Sequence, residues 1–148
     1  MTKKQQTKRI INRRAKFDYE LGDSLVVGMQ LTGGETKALR HGHGQLRGAF
    51  VNVKDNELWL VNAQINSGQG INIPEDQQTR SRKLLAKKSE IDKLMSAKQQ
   101  GRTIIPIELL TQGRYLKLKI AVGKGLKHYD KRENIKRRQQ ERDAARES

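Results

Sequence analysis

A regular alternation near the carboxyl end of the central sequence most constrains the fold. Between Arg114 and Val122, apolar side chains occupy every second position, including Leu116, Leu118 and Ile120. Successive side chains of a β-strand point to opposite faces of its sheet, so a period of two is typical of a strand with one buried face. The segment therefore predicts a strand that lines a core, with the polar residues between facing solvent.

Four earlier segments also have the β-branched and aromatic composition of strands. The polar segment Lys54 to Glu57 is suited to a hairpin connection between two of them. Pro106 lacks a backbone donor, so we expect it at a sheet edge or a bulge. Phe50 and Trp59 fall inside strands and are predicted to be core residues rather than stacking platforms. The predicted strands are Tyr19 to Leu31 with a turn at Gly22-Asp23, Leu46 to Val53, Leu58 to Ile65 and Thr103 to Leu110.

Helices are predicted to be short. One spans Glu35 to Arg40, with an acid in its first turn and a base in its last, as the helix dipole favours. The glycines that follow it are a typical helix stop. A second helical region is predicted to open at Arg80 to Leu85 and to end at Gly101, with Ser89 and Asp92 as a cap-like pair.

These elements predict a mainly β fold, a small antiparallel barrel with short helices at its margins. No alternation of strand and helix recurs, as a parallel sheet would require. The polar segment Asn66 to Thr79 is predicted as a long loop that is either functional or mobile. We divide the chain into a basic arm at residues 1–11, a barrel at 12–122 and a tail at 123–148.

Both ends of the chain are too polar to build a core. Residues 1–16 carry seven Lys or Arg and no acid, and Ile10 and Ile11 mark the expected docking point of this arm. Residues 123–148 carry nine Lys or Arg and five acids, with almost no large apolar side chain after Leu126. We expect this tail to be disordered alone and helical along a polyanion. The alternative is a solvated tail without a role.

The charge balance indicates a polyanionic partner. The 148 residues include 31 Lys or Arg against 16 Asp or Glu, a formal net charge of +15. Nucleic acid is the first candidate, because neutralised phosphates release counterions. A membrane surface is the second, although no basic segment has the apolar face of an interfacial helix. The sequence has no cysteine, no apolar run typical of a signal peptide and no long apolar span, so we expect a cytoplasmic protein.

No group of residues in the sequence predicts catalysis or a metal site. Serines lack a paired histidine and acid, and a cysteine nucleophile is absent, so we predict no enzyme and no cofactor. His41 and His43 flank a glycine, but no third ligand stands at suitable spacing, which favours surface turn residues over a metal site. Glu35 has two interpretations, an acceptor for RNA base amino groups or a first-turn helix acid.

Five motifs give the chain a resemblance to a known family. They are NRRAKFDY at 12–19, GGETKALR at 33–40, TRSRKLL at 79–85, SEIDKL at 89–94 and GKGLKHYDKRENIKRR at 123–138. In this order and spacing they resemble the SsrA-binding protein family (small protein B), the partner of transfer-messenger RNA in bacterial ribosome rescue by trans-translation. The sequence departs from the usual family residues at Phe17, Thr36 and Ala38, and residues 66–78 are only loosely similar.

The resemblance implies an OB-fold-like (oligonucleotide-binding-like) β-barrel that holds the tRNA-like domain of transfer-messenger RNA. It also implies a monomer that works with the ribosome and, indirectly, with elongation factor Tu with GTP and alanyl-tRNA synthetase, without a membrane. The RNA-binding residues that it implies are Asn12, Arg13, Arg14, Glu35, Lys37, Arg40, Arg80, Arg82, Lys83, Lys124 and Lys127.

The resemblance gives the tail a target as well. In the family the tail becomes a helix inside the empty mRNA channel of a stalled ribosome, beyond the decoding centre. The residues of this chain that match the family's tail are Tyr129, Asp130, Lys131, Arg132, Ile135, Lys136 and Arg137.

Three rival interpretations of the protein stay open: a general basic ribosomal or RNA-chaperone protein, an RNA-modifying enzyme and a membrane-surface protein.

Overall fold

The computed structural model describes residues 9–68 and 70–126. The α-helices of these residues are α1 (Ala15–Asp18), α2 (Gly33–Arg40) and α3 (Lys88–Gln99), and a 3-10 turn lies at Glu75–Gln77. The strands are β1 (Ile10–Ile11), β2 (Tyr19–Met29), β3 (Gly44–Gln45), β4 (Phe50–Lys54), β5 (Glu57–Val61), β6 (Gln64–Ile65), β7 (Arg82–Leu85), β8 (Thr103–Leu110) and β9 (Lys117–Gly125).

The main sheet is antiparallel, with the strand order β1-β8-β4-β5-β7-β2-β9. A further pairing between β8 and β9 connects the end of this order back to β8, so the pairings form a continuous circuit. The short strands β3 and β6 form a separate ribbon. The predicted mainly β, antiparallel architecture with short helices is therefore confirmed.

The hydrophobic core lies where the alternation in the sequence places it. Leu118 and Ile120 of β9 are fully buried, whereas Lys117 is exposed. Helix α2 adds the buried Leu39 and α3 adds the buried Leu94. Each large aliphatic side chain removed from water in this way contributes about 1.5–3 kcal/mol. The two longer helices therefore each contribute a leucine to the hydrophobic core.

Two pairing irregularities bend the long strands. The register of β8 against β9 shifts between Pro106 and Glu108, so Pro106 lies at a bulge, the second of its two expected positions. The register of β2 against β9 shifts between Leu21 and Ser24. The predicted turn at Gly22-Asp23 is wrong, because the strand continues through both residues and absorbs them as an irregularity in its pairing.

The largest difference from the sequence prediction lies at Arg82–Leu85. The predicted opening of a helix there is wrong, because these residues form β7, between β5 and β2. Leu84 is paired with Leu58, and both are buried. Pairing on both sides and burial of one face override the local preference of Arg, Lys and Leu for helix.

Helix α3 ends as predicted but begins differently. Glu90 accepts a hydrogen bond from the backbone N–H of Lys87 at 2.8 Å. The predicted cap-like pair of Ser89 and Asp92 is wrong, because the helix has already begun before Ser89. Gly101 follows the helix at a φ of +82°, a left-handed conformation that favours glycine and stops the helix.

The hairpin between β4 and β5 is confirmed. Its two turn residues, Asp55 and Asn56, have φ values of 53° and 62°, as in the two-residue turns that match the twist of the strands. The strand predicted from Leu46 begins later, because the backbone N–H of Ala49 donates to the Leu46 carbonyl at 2.9 Å and closes a turn first. The predicted strand at residues 58–65 is likewise divided, into β5 and β6.

Two segments at the margins of the fold are held on the domain. Ile10 in β1 pairs with Leu109 in β8 and is buried, which confirms the predicted docking point of the basic arm. After β6, Ile71 and Ile73 are buried, and Ser67 Oγ donates to the Ile73 carbonyl at 2.9 Å. The polar segment before β7 is therefore packed against the core in the residues that the structure describes.

We predict that Gly123→Ala destabilises the fold. The added Cβ would lie against the Ile105 side chain and 3.2 Å from Tyr19 Cβ, inside the packed sheet. Such overpacking costs about 1–3 kcal/mol of unfolding free energy, measured by urea denaturation. The control is Gly34→Ala in α2, where the added Cβ meets nothing within 4 Å, and it should be neutral or slightly stabilising. Equal stability of the two variants would contradict this packing.

Candidate nucleic-acid interface

Glu35 is built into the start of α2. It is 2% exposed and stands at the third position of the helix. Its backbone N–H donates to Thr32 Oγ1 at 3.1 Å, and its Oε1 accepts from the Thr32 N–H at 3.0 Å. This reciprocal pair is a capping box, which satisfies two backbone donors at the helix N-terminus. The interpretation of Glu35 as a first-turn helix acid is confirmed.

Two arginines hold the same carboxylate. Arg82 Nε donates to Oε2 at 2.8 Å, Arg80 Nε donates to Oε2 at 3.1 Å, and Arg80 Nη2 donates to Oε1. The side chain of Arg82 is fully buried, whereas that of Arg80 is 31% exposed. Burial acts to raise the pKa of Glu35, but hydrogen bonds from Arg80, the Thr32 backbone and Arg82 outweigh it and hold this pKa below its ordinary value. The buried carboxylate is therefore ionised at neutral pH.

The remaining donors of Arg82 connect distant parts of the chain. Nη1 donates to the Ala63 carbonyl, and Nη2 donates to the carbonyls of Gln77 and Gln78 at 3.2 and 3.0 Å. One buried guanidinium thus joins β7 to α2, to the segment before β6 and to the loop that precedes β7. We call Thr32, Glu35, Arg80 and Arg82 the Glu35 cluster.

The Glu35 cluster changes the roles implied by the resemblance. Glu35 and Arg82 were implied to contact RNA, but both side chains are buried and their polar atoms are engaged within the protein. They are suited to hold the surface in shape rather than to touch a ligand. Arg80 differs, because part of its guanidinium reaches the surface while the carboxylate fixes its orientation.

Two further implied residues make anchoring contacts. The backbone N–H and the side-chain amide of Asn12 donate to two carbonyls of β8, at 2.8 and 2.9 Å. Arg40 donates to the carbonyls of Thr111 and Arg114 at 3.1 and 3.0 Å. Arg40 therefore connects the end of α2 to the loop between β8 and β9.

The other implied residues within the described part of the chain present charge at the surface. The guanidinium of Arg14 lies 3.6 Å from a carboxylate of Asp18, and Lys83 Nζ lies 3.0 Å from Glu57. Exposed ion pairs of this kind contribute only about 0–1 kcal/mol, so a phosphate can compete for both cations. Lys127 and the seven implied tail residues lie outside the described residues. The surface cations of this group are Arg13, Arg14, Lys37, Lys83 and Lys124.

A cleft that the sequence did not reveal lies between β2, β7 and the start of α3. It has a volume of about 1010 Å³. Val26 and Leu85 on its wall are 46% and 53% exposed, although both are apolar. We call it the lysine-rimmed cleft. Its charged lining residues are Lys83, Lys87, Lys88 and Lys117 together with Glu57, Glu90 and Asp92.

The cleft could have been predicted from the sequence only if β7 had been assigned as a strand. Adjacent apolar residues in a strand face opposite sides, so Leu84-Leu85 and Val26-Val27 must each expose one member unless both faces are covered. A helical assignment for Arg80 to Leu85 concealed that signal.

His41 is a turn residue after α2, as predicted, whereas His43 lies past the turn and directly precedes β3. His41 is the C-terminal cap residue of α2, and its ring centroid lies 6.1 Å from that of His43. Residues 9–68 and 70–126 contain no group of three potential metal ligands. Over the same residues, no helix has the length and hydropathy needed to cross a membrane.

Together, these features define a small antiparallel β protein with a buried charged cluster under a basic surface. Its sequence matches the family described as SmpB protein over residues 9–148. An SsrA-binding protein of Trichormus variabilis is 40% identical over 153 residues, covering 99% of this chain and 97% of that protein. One of Streptococcus pneumoniae is 42% identical over 136 residues, covering 91% and 88%.

A solved structure supports the same assignment. It is described as "tmRNA-SmpB: a journey to the center of the bacterial ribosome", and its matching chain is 31% identical with a TM-score of 0.67. The match covers 86% of this chain and 94% of that one. The chain belongs to the SmpB family of SsrA-binding proteins. The resemblance of its motifs and the OB-fold-like architecture are thus both confirmed.

We predict that Arg82→Met strongly destabilises the protein. Methionine replaces the apolar stem of arginine but cannot neutralise Glu35 or satisfy the three carbonyls, so we expect a loss of about 3–5 kcal/mol in urea unfolding. The control is the neighbouring Lys83→Met, which removes an exposed ion pair and should cost less than about 1 kcal/mol. If the two variants lose the same free energy, the Glu35 cluster is not a central support of the fold.

Proposed function

We propose that this protein binds the tRNA-like domain of transfer-messenger RNA and acts with it in trans-translation to rescue stalled ribosomes in the bacterial cytoplasm. The observation that carries the proposal is the family match over residues 9–148, which includes both the described domain and the tail. The names of the relatives and the description of the structural neighbour support it, since they refer to SsrA, tmRNA and the ribosome. The family is one of RNA-binding proteins, not enzymes.

We assign RNA binding to the lysine-rimmed cleft and the cations near it. Lysine ammonium groups attract phosphates without regard to sequence, which suits a helical RNA whose bases are paired. Val26 and Leu85 supply apolar surface on which a ribose or a base face can pack. The cleft therefore offers both charge and shape to a folded RNA.

The Glu35 cluster supports this surface from beneath. Glu35 orients Arg80 through two hydrogen bonds, and Arg82 fixes the loop from which Arg80 emerges. A guanidinium already held in place loses less conformational entropy when it binds a phosphate. Arg80 is thus a candidate contact residue, and Glu35 and Arg82 are positioning residues.

The tail is assigned to the mRNA channel of the ribosome. It leaves the domain beside α1, because the backbone N–H of Leu126 donates to the Asp18 carbonyl at 3.0 Å. Its nine basic and five acidic residues suit a channel lined with ribosomal RNA phosphates. Such a channel is accessible only when message is absent, so binding there reports vacancy. The tail residues that we assign to this role are Tyr129, Asp130, Lys131, Arg132, Ile135, Lys136 and Arg137.

The remaining proposed partners are proteins that act on the bound RNA. We propose that the protein acts as a monomer, and that elongation factor Tu with GTP and alanyl-tRNA synthetase act on the RNA that it holds. No catalytic group of the protein is required for these steps. The rival function, a general basic RNA-binding protein, differs in one measurable respect, since it would not prefer the tRNA-like domain to other folded RNAs.

We predict that Lys87→Met with Lys117→Met weakens binding to the tRNA-like domain. If each lysine neutralises one phosphate, the slope of log affinity against log salt should fall by about 0.7–0.9 for each lysine removed. Filter binding at several salt concentrations measures both quantities. The control is Arg102→Met, an exposed cation outside this cleft. If the double variant has the same slope of log affinity against log salt as the control, the cleft is not part of the RNA interface.

We predict that truncation before Asp130 separates two activities. The truncated protein should bind the tRNA-like domain nearly as well as the full chain, because it retains every residue that the structure describes. Peptide tagging on stalled ribosomes should be abolished, because the channel is no longer occupied. Gel-shift titration and a reconstituted translation reaction measure the two outcomes. Equal loss of both would contradict the division between domain and tail.

A further inference from the structure

Phe50 lies at the surface, and its predicted place in the core is wrong. Its side chain is 41% exposed, whereas the next residue, Val51, is 2% exposed. The turn at residues 46–49 delays the start of β4, and alternation along the strand then points Val51 inward and Phe50 outward. Trp59, which was also predicted to be a core residue, is half-buried.

Phe50 forms part of a concave site rather than a flat surface. A pocket of about 350 Å³ lies between α1, β4, β8 and the end of α3. Tyr19, the first residue of β2, is a second aromatic residue in its wall, and Gly48 and Ala49 form the wall next to Phe50. This volume is at the lower end of the range for small-ligand sites and is sufficient for one planar heterocycle.

The charged groups of the pocket suit a nucleotide. Arg14 lines it with a 70% exposed side chain, and its guanidinium lies 3.6 Å from the Asp18 carboxylate, a weak pair with which a phosphate can compete. Lys98 reaches it from α3, with its Nζ held 3.0 Å from Asn52 Oδ1. Asp18, the one acid in the lining, supplies a carboxylate that can accept from a base amino or imino group. Two cations for phosphate, one acceptor for a base edge and an exposed ring are therefore adjacent.

These features together narrow the class of ligand. A simple anion would leave the exposed Phe50 ring without a contact, and a purely apolar ligand would leave Arg14 and Lys98 without a negatively charged partner. An unpaired nucleotide uses both, because bases stack on aromatic rings and the attached phosphate takes the cations.

We propose that the pocket around Phe50 is a subsite for one unpaired nucleobase, which stacks on the Phe50 ring while Arg14 and Lys98 hold its phosphate. The inference rests on the proposed function, because that function supplies the RNA. The base comes either from transfer-messenger RNA or from ribosomal RNA next to the tail. The second source fits the geometry, since Leu126, the last described residue before the tail, is hydrogen-bonded to Asp18 in the pocket wall.

Three substitutions of Phe50 test the stacking. Phe50→Tyr keeps the aromatic ring and should bind like the wild type. Phe50→Ala and Phe50→Leu both remove the ring, and leucine retains apolar area without a π face. We expect both to weaken binding by roughly 5- to 150-fold, as for the loss of one stacked base. The control is Tyr115→Ala, which removes another exposed ring, 70% exposed and outside the pocket, and should bind like the wild type.

Two binding measurements distinguish the source of the base. The full-length variants are titrated against the isolated tRNA-like domain and, separately, against vacant small ribosomal subunits. The loss should occur in one titration only, and that titration identifies the RNA. Urea unfolding of each variant should show a folded protein with at most a modest loss of stability, because the Phe50 side chain is only partly buried.

Three outcomes would overturn the proposal. Wild-type affinity of Phe50→Ala in both titrations would refute the subsite and leave the proposed function intact. Wild-type affinity of Phe50→Leu would show that apolar contact, not stacking, holds the ligand. If the wild-type protein binds neither the RNA nor the subunits, the proposed function fails and the subsite fails with it.

Discussion

The buried ion pair between Glu35 and Arg82 is the contact on which the functional surface depends. Two oppositely charged groups removed from water are costly unless each is fully hydrogen-bonded, and here both are. The pair fixes α2 against β7 and secures the loop before β7. Arg80 and the lysine-rimmed cleft both adjoin these elements, so a contact buried inside the protein supports their geometry.

The sequence predicted the parts of the fold that local pattern controls. The period of two in β9, the hairpin at Asp55-Asn56 and the bulge at Pro106 each follow from a few neighbouring residues. The strand β7 could not be predicted from local pattern, because its composition favours helix and only its pairing on both sides makes it a strand. Phe50 was misplaced for a related reason, since a turn of four residues determines which way its strand faces.

The sequence predicted which residues belong to the site better than it predicted how they are arranged. The motifs brought together the basic residues and Glu35, but nothing in the sequence distinguishes Arg82, fully buried, from Arg80, which is partly exposed two residues earlier. That distinction depends on long-range contacts with residues 35, 63 and 77–78. The same limit explains why the lysine-rimmed cleft was missed, because its walls come from four separate segments of the chain.

We propose that the described domain recognises one folded RNA rather than polyanions in general. The most direct test is equilibrium binding of the purified protein to the tRNA-like domain of transfer-messenger RNA, with ordinary tRNA as competitor, at low and high salt. We expect a preference for the tRNA-like domain that persists at high salt, because shape recognition is less sensitive to screening than charge alone. Equal affinities that fall together with salt would contradict it.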